Sequence, residues 1–257
     1  MKFSSRTVVT IGNFDGLHIG HRKLIETTLK IAEQKNALPV VFTFQNHPLE
    51  FLYNKKIEYI TSPQKKLELL KQMGINDVVS IPFNYDIKNM STEQFSKEVL
   101  IDTLSASDVI MGFDSRLGSG REGKVEYLYE TGRDMGFDVH IVPPVLVEGM
   151  RVSSSFIREL IKNGEVKRTA SYLGREHEIE GIVIHGKKIG RELGFPTANL
   201  ELTYPVLLPQ KGVYYCKIII DSVEYDAAKS VGNNPTVKDK GFSVEAHVLG
   251  MDMDLYG

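Results

Sequence analysis

Five short apolar runs, at 7–11, 38–44, 77–81, 108–112 and 137–142, constrain what this chain can fold into more than any other feature. Each has the length of a strand buried on both faces. Helix signals separate them. Residues 22–34 repeat Leu24, Ile25, Leu29 and Ile31 at helical spacing. Ser62-Pro63 opens a second helix that stops near Gly74, with proline at its first position. Ser91-Thr92-Glu93-Gln94 is a capping-box pattern, and 122–135 forms another helical stretch that ends at Gly136. Repeated β-α alternation predicts an α/β unit, a parallel sheet with helices on both faces. Ligands bind such sheets at the carboxyl ends of the strands.

The first of those ends carries Gly12-Asn13-Phe14-Asp15-Gly16-Leu17-His18-Ile19-Gly20-His21. The decapeptide lies on a strand-to-helix turn, where unpaired backbone N–H groups and the helix dipole favour an anion. Gly12, Gly16 and Gly20 allow tight backbone and close ligand approach. His18 and His21 stand three residues apart, so both face one side of the first helical turn. Two imidazole donors beside a helix N-terminus suit a polyphosphate.

After residue 175 the rhythm changes. Runs at 178–185, 213–220, 223–230 and 242–249 read as strands without helices between them, punctuated by glycine, proline and asparagine. That pattern predicts a small antiparallel β-barrel or sandwich. Two short helices, 154–163 and 165–173, precede it with Gly164 at their break. The expected division is 1–175 and 176–257. Lys plus Arg is 31 against 33 for Asp plus Glu, which lacks the basic excess of a nucleic-acid footprint. No apolar run approaches the roughly 18 residues of a membrane span. The first residues lack a signal-peptide core, and one cysteine, Cys216, cannot form an internal disulfide. A cytoplasmic protein without nucleic-acid or membrane partners is expected.

The decapeptide resembles the G-x-F-D-x-x-H-x-G-H signature of the nucleotidylyltransferase superfamily. In its G-N-F-D-G-x-H-x-G-H form it is similar to the FAD synthetase branch, the prokaryotic riboflavin kinase/FMN adenylyltransferases. The resemblance implies a Rossmann-like domain that binds ATP through Gly12, Asn13, Phe14, Asp15, Gly16 and Gly20, with His18 and His21 catalytic. Ser154, Ser155 and Arg158 resemble the S-S-T-x-x-R element that closes over ATP phosphates, which adds Ser154 and Ser155 to the ATP set and Arg158 to the catalytic set. The segment 111–123 resembles the loop G-x-D-F-x-F-G-x-x-R-x-G, implying Gly112 and Asp114 for ATP and Arg116 for FMN. Ser115 and Leu117 replace its two aromatic residues, so packing in that loop must differ. Thr43-Phe44-Gln45-Asn46-His47-Pro48 resembles the flavin-side element T-F-x-P-H-P, with Asn46 in place of proline. It implies FMN contacts from Phe44, Asn46 and His47, although His47 also suits a helix start alone.

The stretch 185–200, containing Gly194-Phe195-Pro196-Thr197-Ala198-Asn199, resembles the riboflavin kinase signature, in which Thr197 and Asn199 would face Mg-ATP. Gly232-Asn233-Asn234-Pro235-Thr236 and Glu245-Ala246-His247 follow the same family. Riboflavin kinases continue past the D-L-Y-G at 254–257 into a segment with the catalytic glutamate. Weak or no kinase activity is therefore expected of this chain as it stands, with self-association through an uncovered barrel edge. A stretch of a longer protein fits the sequence equally well.

The implied reaction joins FMN to the AMP of ATP, giving FAD and pyrophosphate. A phosphate monoester has its second pKa at about 6, so the FMN nucleophile is anionic without a protein base. Aligning two anions and stabilising the transferring phosphorus is the remaining task. Mg²⁺ is expected with ATP, and no residue is assigned to it. A bifunctional kinase/adenylyltransferase and a non-catalytic flavin- or nucleotide-binding regulator remain the alternatives.

Overall fold

The computed structural model describes residues 2–54, 56–115, 117, 125–184, 197–233 and 242–250. They fall into two compact units. The first comprises 1–57, 61–154 and 172–174, and the second 58–60, 155–171 and 175–257.

The first unit holds β1 (Thr7–Ile11), β2 (Leu38–Phe44), β3 (Asp77–Ile81), β4 (Ala106–Gly112) and β5 (Asp138–Val142). They pair in parallel in the order β3-β2-β1-β4-β5. The chain leaves β1 towards β2 and β3, then crosses back to β4. The crevice outside the ends of β1 and β4 is therefore the topological switch point of a Rossmann-like sheet. The helices are α1 (Ile19–Lys35), α2 (Pro48–Tyr53), α3 (Pro63–Gln72), α4 (Tyr85–Asn89), α5 (Thr92–Phe95) and α6 (Val125–Met135). A π-helical stretch, Ser96–Ile101, continues α5, and a short hairpin pairs β6 (Leu146–Val147) with β7 (Met150–Arg151). Next come α7 (Ser154–Lys162), which starts where the first unit ends, and α8 (Val166–Leu173). Gly164 separates them with φ +76°.

The period-2 alternation of the strands sorts their side chains into two cores. Val9, Ile11, Val40, Phe42, Val109 and Met111 pack with Phe95, Leu100, Leu104 and Leu128. Val8, Val41 and Ile110 pack with Leu24, Ile25 and Ala32 of α1 and Leu69 and Leu70 of α3. All of β1 is buried, and its two threonines keep hydrogen bonds, Thr7 Oγ1 to Leu104 O and Thr10 Oγ1 to Ile110 O. This places β1 at the centre of the unit and its last residue at the floor of the crevice.

Near the opposite end of the sheet, Asp108 has no exposed side-chain surface and accepts from Lys35 Nζ at 2.6 Å. It also pairs with His140 Nε2 at 2.7 Å and Ser107 Oγ at 2.9 Å. Burial alone would raise its pKa; the bonds from Lys35, His140 and Ser107 outweigh burial and hold the carboxyl below its ordinary value. Bonds to Asp108 and Asp138 in turn raise the Lys35 ammonium. Asp108→Asn should cost about 1–3 kcal/mol, because Lys35 retains access to water and Asp138. The depressed carboxyl stabilises above about pH 4 and loses that contribution as pH falls through its folded value. The raised ammonium stabilises below about pH 10 and loses its contribution as pH rises. The difference in urea midpoint between the parent and Asp108→Asn should thus be widest between those limits.

The second unit contains β8 (Gly181–Ile184), β9 (Ala198–Leu202), β10 (Gly212–Ile220), β11 (Val223–Asn233) and β12 (Phe242–Val248). They form one antiparallel sheet in the order β10-β11-β12-β9-β8. Asp221 and Ser222, both left-handed, make the two-residue turn between β10 and β11. Residues 58–60 join this unit because Tyr59 exchanges backbone hydrogen bonds with Pro205 and Leu207. The antiparallel character agrees with the sequence pattern. Among the described residues the strands form one antiparallel sheet, with no ladder between β8 and β10. β9 has no counterpart among the expected strands: its Ala-Asn-Leu-Glu-Leu run alternates apolar and polar but is only five residues long.

Candidate active site

The decapeptide leaves β1 through Gly12, whose N–H still bonds Phe42 O at 3.1 Å. It then turns sharply. Phe14 (φ +52°), Gly16 (φ +85°) and Leu17 (φ +40°) all adopt left-handed backbone, closed by Leu17 N to Phe14 O at 3.3 Å. Left-handed non-glycine residues cost of order 1–3 kcal/mol each, and the complete burial of Phe14 and Leu17 in the α1-side core offsets it. The Phe14 ring therefore faces the core, so any contact it makes with a nucleotide comes from its backbone.

His18 is the N-cap of α1, its Nδ1 accepting from His21 N at 3.2 Å. This cap starts the helix at Ile19, ahead of the expected residue 22. A Cβ on Gly20 would lie 3.1 Å from His18 Nδ1, so a side chain there would push the capping ring aside. The two imidazoles share one side of the turn, as the three-residue spacing predicts, and stack with centroids 3.6 Å apart and planes within 12°. The Phe14 ring meets His21 edge-on at 5.2 Å. Burial, then the neighbouring His18 and Lys66, hold the His21 pKa well below the usual imidazole range. His21 is consequently neutral, and among the described residues its buried Nδ1 has no hydrogen-bond partner. No acidic residue occupies the first turn of α1. A polar nitrogen awaiting a partner beside a helix N-terminus is suited to a phosphate oxygen.

Asp15 is buried, and it organises the surroundings of the turn. Its Oδ1 accepts from Thr61 N at 3.3 Å, and its carbonyl accepts from Ser154 Oγ at 3.0 Å. The decapeptide and Ser154 of the S-S-T-x-x-R-like element are thereby joined directly. Ser155, exposed, and Arg158, which donates to Glu58 O, belong to the second unit.

At the other side of the switch point, β4 ends in Gly112. Asp114 pairs with Arg151, and the Arg151 guanidinium also covers the Phe113 ring at 4.6 Å. Arg151 is a cation at this loop that sequence reasoning missed, because it sits in a two-residue strand without a motif. Leu117 is buried in the sheet core and accepts from Thr92 Oγ1 at 2.8 Å, so it packs where the resembling loop carries an aromatic. Arg116 lies outside the described residues, as do most of the kinase-like signature and Asn234, Pro235 and Thr236.

Beyond β2, Asn46 clamps the backbone of Phe83, donating to its carbonyl at 3.1 Å and accepting its N–H at 2.8 Å. His47 caps α2 through Leu49 N and forms a capping box with Glu50. Both side chains thus have structural work of their own. Phe44 begins an aromatic array that sequence reasoning missed: Phe44 to Phe83 at 5.2 Å, Phe83 to Phe51 at 5.7 Å and Phe51 to Tyr85 at 4.8 Å, all edge-to-face. These rings come from β2, α2, α4 and the loop after β3, so no local spacing could bring them together. Lys66, on the first turns of α3, was missed as well. Its Nζ reaches Asn13 O at 3.2 Å, Thr43 Oγ1 at 3.3 Å and Phe44 O at 3.5 Å.

In the second unit, Asn199 lies on β9 opposite Ile184 of β8 and Glu245 of β12, and Thr197 directly precedes that strand.

Comparison with known proteins adds an independent line. Residues 1–156 match the family model described as FAD synthetase, and 173–257 match that described as Riboflavin kinase. A bifunctional riboflavin kinase/FMN adenylyltransferase of Buchnera aphidicola subsp. Schizaphis graminum is 35% identical over 260 residues, covering 99% of this chain and 83% of the relative. Proteins of that name from Escherichia coli K12 and Listeria monocytogenes are 33% and 34% identical, each covering 97% of this chain and 80% of the relative. A crystal structure described as a macrolide-efflux protein from Streptococcus pneumoniae superposes with a TM-score of 0.91 at 31% identity, over 100% of this chain and 84% of the other. Among the described residues of this chain, no helix is long and apolar enough to cross a membrane. The match over 173–257 gives no support to the expected kinase inactivity. Taken along its whole length, the chain belongs to the bifunctional riboflavin kinase/FMN adenylyltransferase family.

Proposed function

We propose that this protein transfers AMP from Mg-ATP to FMN, releasing pyrophosphate and forming FAD, within residues 1–175. The observation that carries the proposal is the stacked His18–His21 pair at the N-terminus of α1, with the partnerless Nδ1 of His21 beside it. The backbone of Gly12, Asn13, Phe14, Asp15, Gly16 and Gly20 supplies the phosphate turn. Gly112 and Asp114 line the β4 side of the nucleotide site. Ser154 acts beside the turn that it bonds. Ser155 and Arg158 are assigned to the β- and γ-phosphates by their motif alone. FMN takes the side of β2, where the aromatic array starting at Phe44 offers faces and edges to a flat tricyclic ring. His47, Asn46 and Arg116 remain the proposed polar contacts on that side.

The chemistry asks no proton transfer of the protein. An oxygen of the FMN phosphate bonds to the α-phosphorus as the bond to pyrophosphate breaks. The fixed imidazole and backbone donors stabilise charge on the oxygens. Mg²⁺ arrives as the ATP complex, held by phosphates and water. Of the carboxylates in the resembling motifs, Asp15 is engaged by Thr61 N and Asp114 by Arg151. Asp108, Asp138 and His140 cluster closely enough for a metal, but Lys35 occupies the space between the two carboxylates.

The test is product analysis. FMN with Mg-ATP is expected to yield FAD and an equal amount of pyrophosphate. Nucleotide and flavin binding without pyrophosphate release would instead favour the regulator. A second reading, riboflavin kinase activity from 176–257, is favoured by the family match at 173–257 and checked by replacing FMN with riboflavin and looking for FMN. Thr197 and Asn199 are its proposed nucleotide contacts. Cytoplasmic location belongs to the same proposal, supported by the single half-buried cysteine.

A further inference from the structure

Among the described residues, Lys66 is a cation without a formally charged hydrogen-bond partner. Its three acceptors are the carbonyls of Asn13 and Phe44 and the hydroxyl of Thr43, at 3.2, 3.5 and 3.3 Å. Asp15 attracts it through space but is not among those partners. Burial lowers the Lys66 pKa, which is the expected sign of an ammonium that has lost water without gaining a bonded carboxylate. A neutral donor would tie three neutral acceptors together at less cost, so tying strand ends does not account for the charge.

Position supplies the account. Asn13 belongs to the phosphate turn after β1, and Thr43 and Phe44 end β2, where the aromatic array begins. Lys66 therefore stands at the border of the proposed nucleotide and flavin sides. It is also near enough to His21 to lower that ring's pKa by charge repulsion.

We infer that Lys66 receives the phosphate of FMN and holds it against the α-phosphate of ATP. This rests on the adenylyltransferase reading above. The ammonium keeps its proton throughout: it neutralises the approach of two anions, while the new oxygen–phosphorus bond forms and the bond to pyrophosphate breaks. Its role is specific to the flavin phosphate rather than to the isoalloxazine or to ATP.

The experiment uses the full chain and the variants Lys66→Met, Lys66→Arg and Lys65→Met. Lys65, whose Nζ lies 3.7 Å from Glu68, is the neighbouring control and should match the parent. Lys66→Met is expected to raise the KM for FMN about tenfold or more and lower kcat, with the KM for ATP within about twofold. Lys66→Arg should recover much of the loss. Flavin fluorescence titration gives a readout independent of turnover: Lys66→Met should weaken FMN binding and leave riboflavin binding unchanged. Flavin bound by the second unit is common to parent and variant and cancels in that comparison. Equal weakening of both flavins, or an unchanged KM for FMN, overturns the inference. If Lys66→Met does not fold, Lys66→Arg must retain the parent's preference for FMN over riboflavin, and losing it overturns the inference too. A parent that forms no FAD defeats the functional reading instead, and the FMN–riboflavin comparison then decides Lys66 by itself.

Discussion

His21→Ala is expected to slow FAD formation from FMN and Mg-ATP by about 100- to 1000-fold, the usual loss on removing one preorganised donor at a charge-developing centre. His21 is already fixed before substrate arrives, stacked on His18 at 3.6 Å and met by Phe14 at 5.2 Å, so it stabilises charge without reorganising. His21→Gln, which keeps a donor, should fall between the two. The direction of the His21 shift adds a pH test. Because burial, His18 and Lys66 keep the ring neutral, the rate should not decline as pH rises through about 6.5, where an ordinary imidazolium would be lost. It should instead rise through about pH 6, as the FMN phosphate loses its second proton. A rate that falls between pH 6 and 7.5 would require a charged imidazole and contradict this role. Unchanged turnover in His21→Ala would remove the site assignment.

Phe14→Ala should be the most destabilising single change in the turn, costing about 3–5 kcal/mol. The ring is wholly buried among Val8, Leu17, Leu24 and Ile25 of its core cluster, and alanine leaves a cavity there. Part of the burial that offsets the left-handed backbone at residues 14 and 17 goes with it. The check is urea unfolding followed by circular dichroism, with hydrogen exchange in β1 to assign the loss to the first unit. Activity should fall even in conditions where the variant is folded, since the edge contact that seats His21 is lost. Phe14→Leu, which refills most of the volume, should recover most of the stability and less of the rate. A shift below about 1 kcal/mol in Phe14→Ala would mean that the turn is held by its backbone alone.

Much of the first unit was legible because its signals are local. The bounds of β1, β2 and β3 coincide with the apolar runs, and Ser62 and Ser91 cap their helices as the Ser-Pro and Ser-x-x-Gln patterns predict. The spacing of three put His18 and His21 on one side of the first turn, and the structure adds that their rings stack. The start of α1 was misplaced because a histidine cap is weaker in sequence than a serine or aspartate one. β9 was missed although Ala-Asn-Leu-Glu-Leu alternates apolar and polar, because the run is only five residues long and begins in the stretch read as a kinase signature. Asn46 was assigned to FMN from its motif, and the structure adds a backbone clamp on Phe83, far away in sequence.

By itself the sequence determined the α/β and antiparallel halves and the strand-to-helix turn with its two histidines, since each depends on residues within a few positions of one another. Only the tertiary structure decided which groups surround that turn. Lys66, Arg151, Phe51, Phe83 and Tyr85 reach the strand ends from separate helices, a loop and the β6–β7 hairpin, brought there by sheet order rather than spacing. The electrostatics of the turn belong to the structure as well. His21 is neutral because folding removes water from its ring and sets His18 and Lys66 beside it, a consequence of burial that no motif encodes.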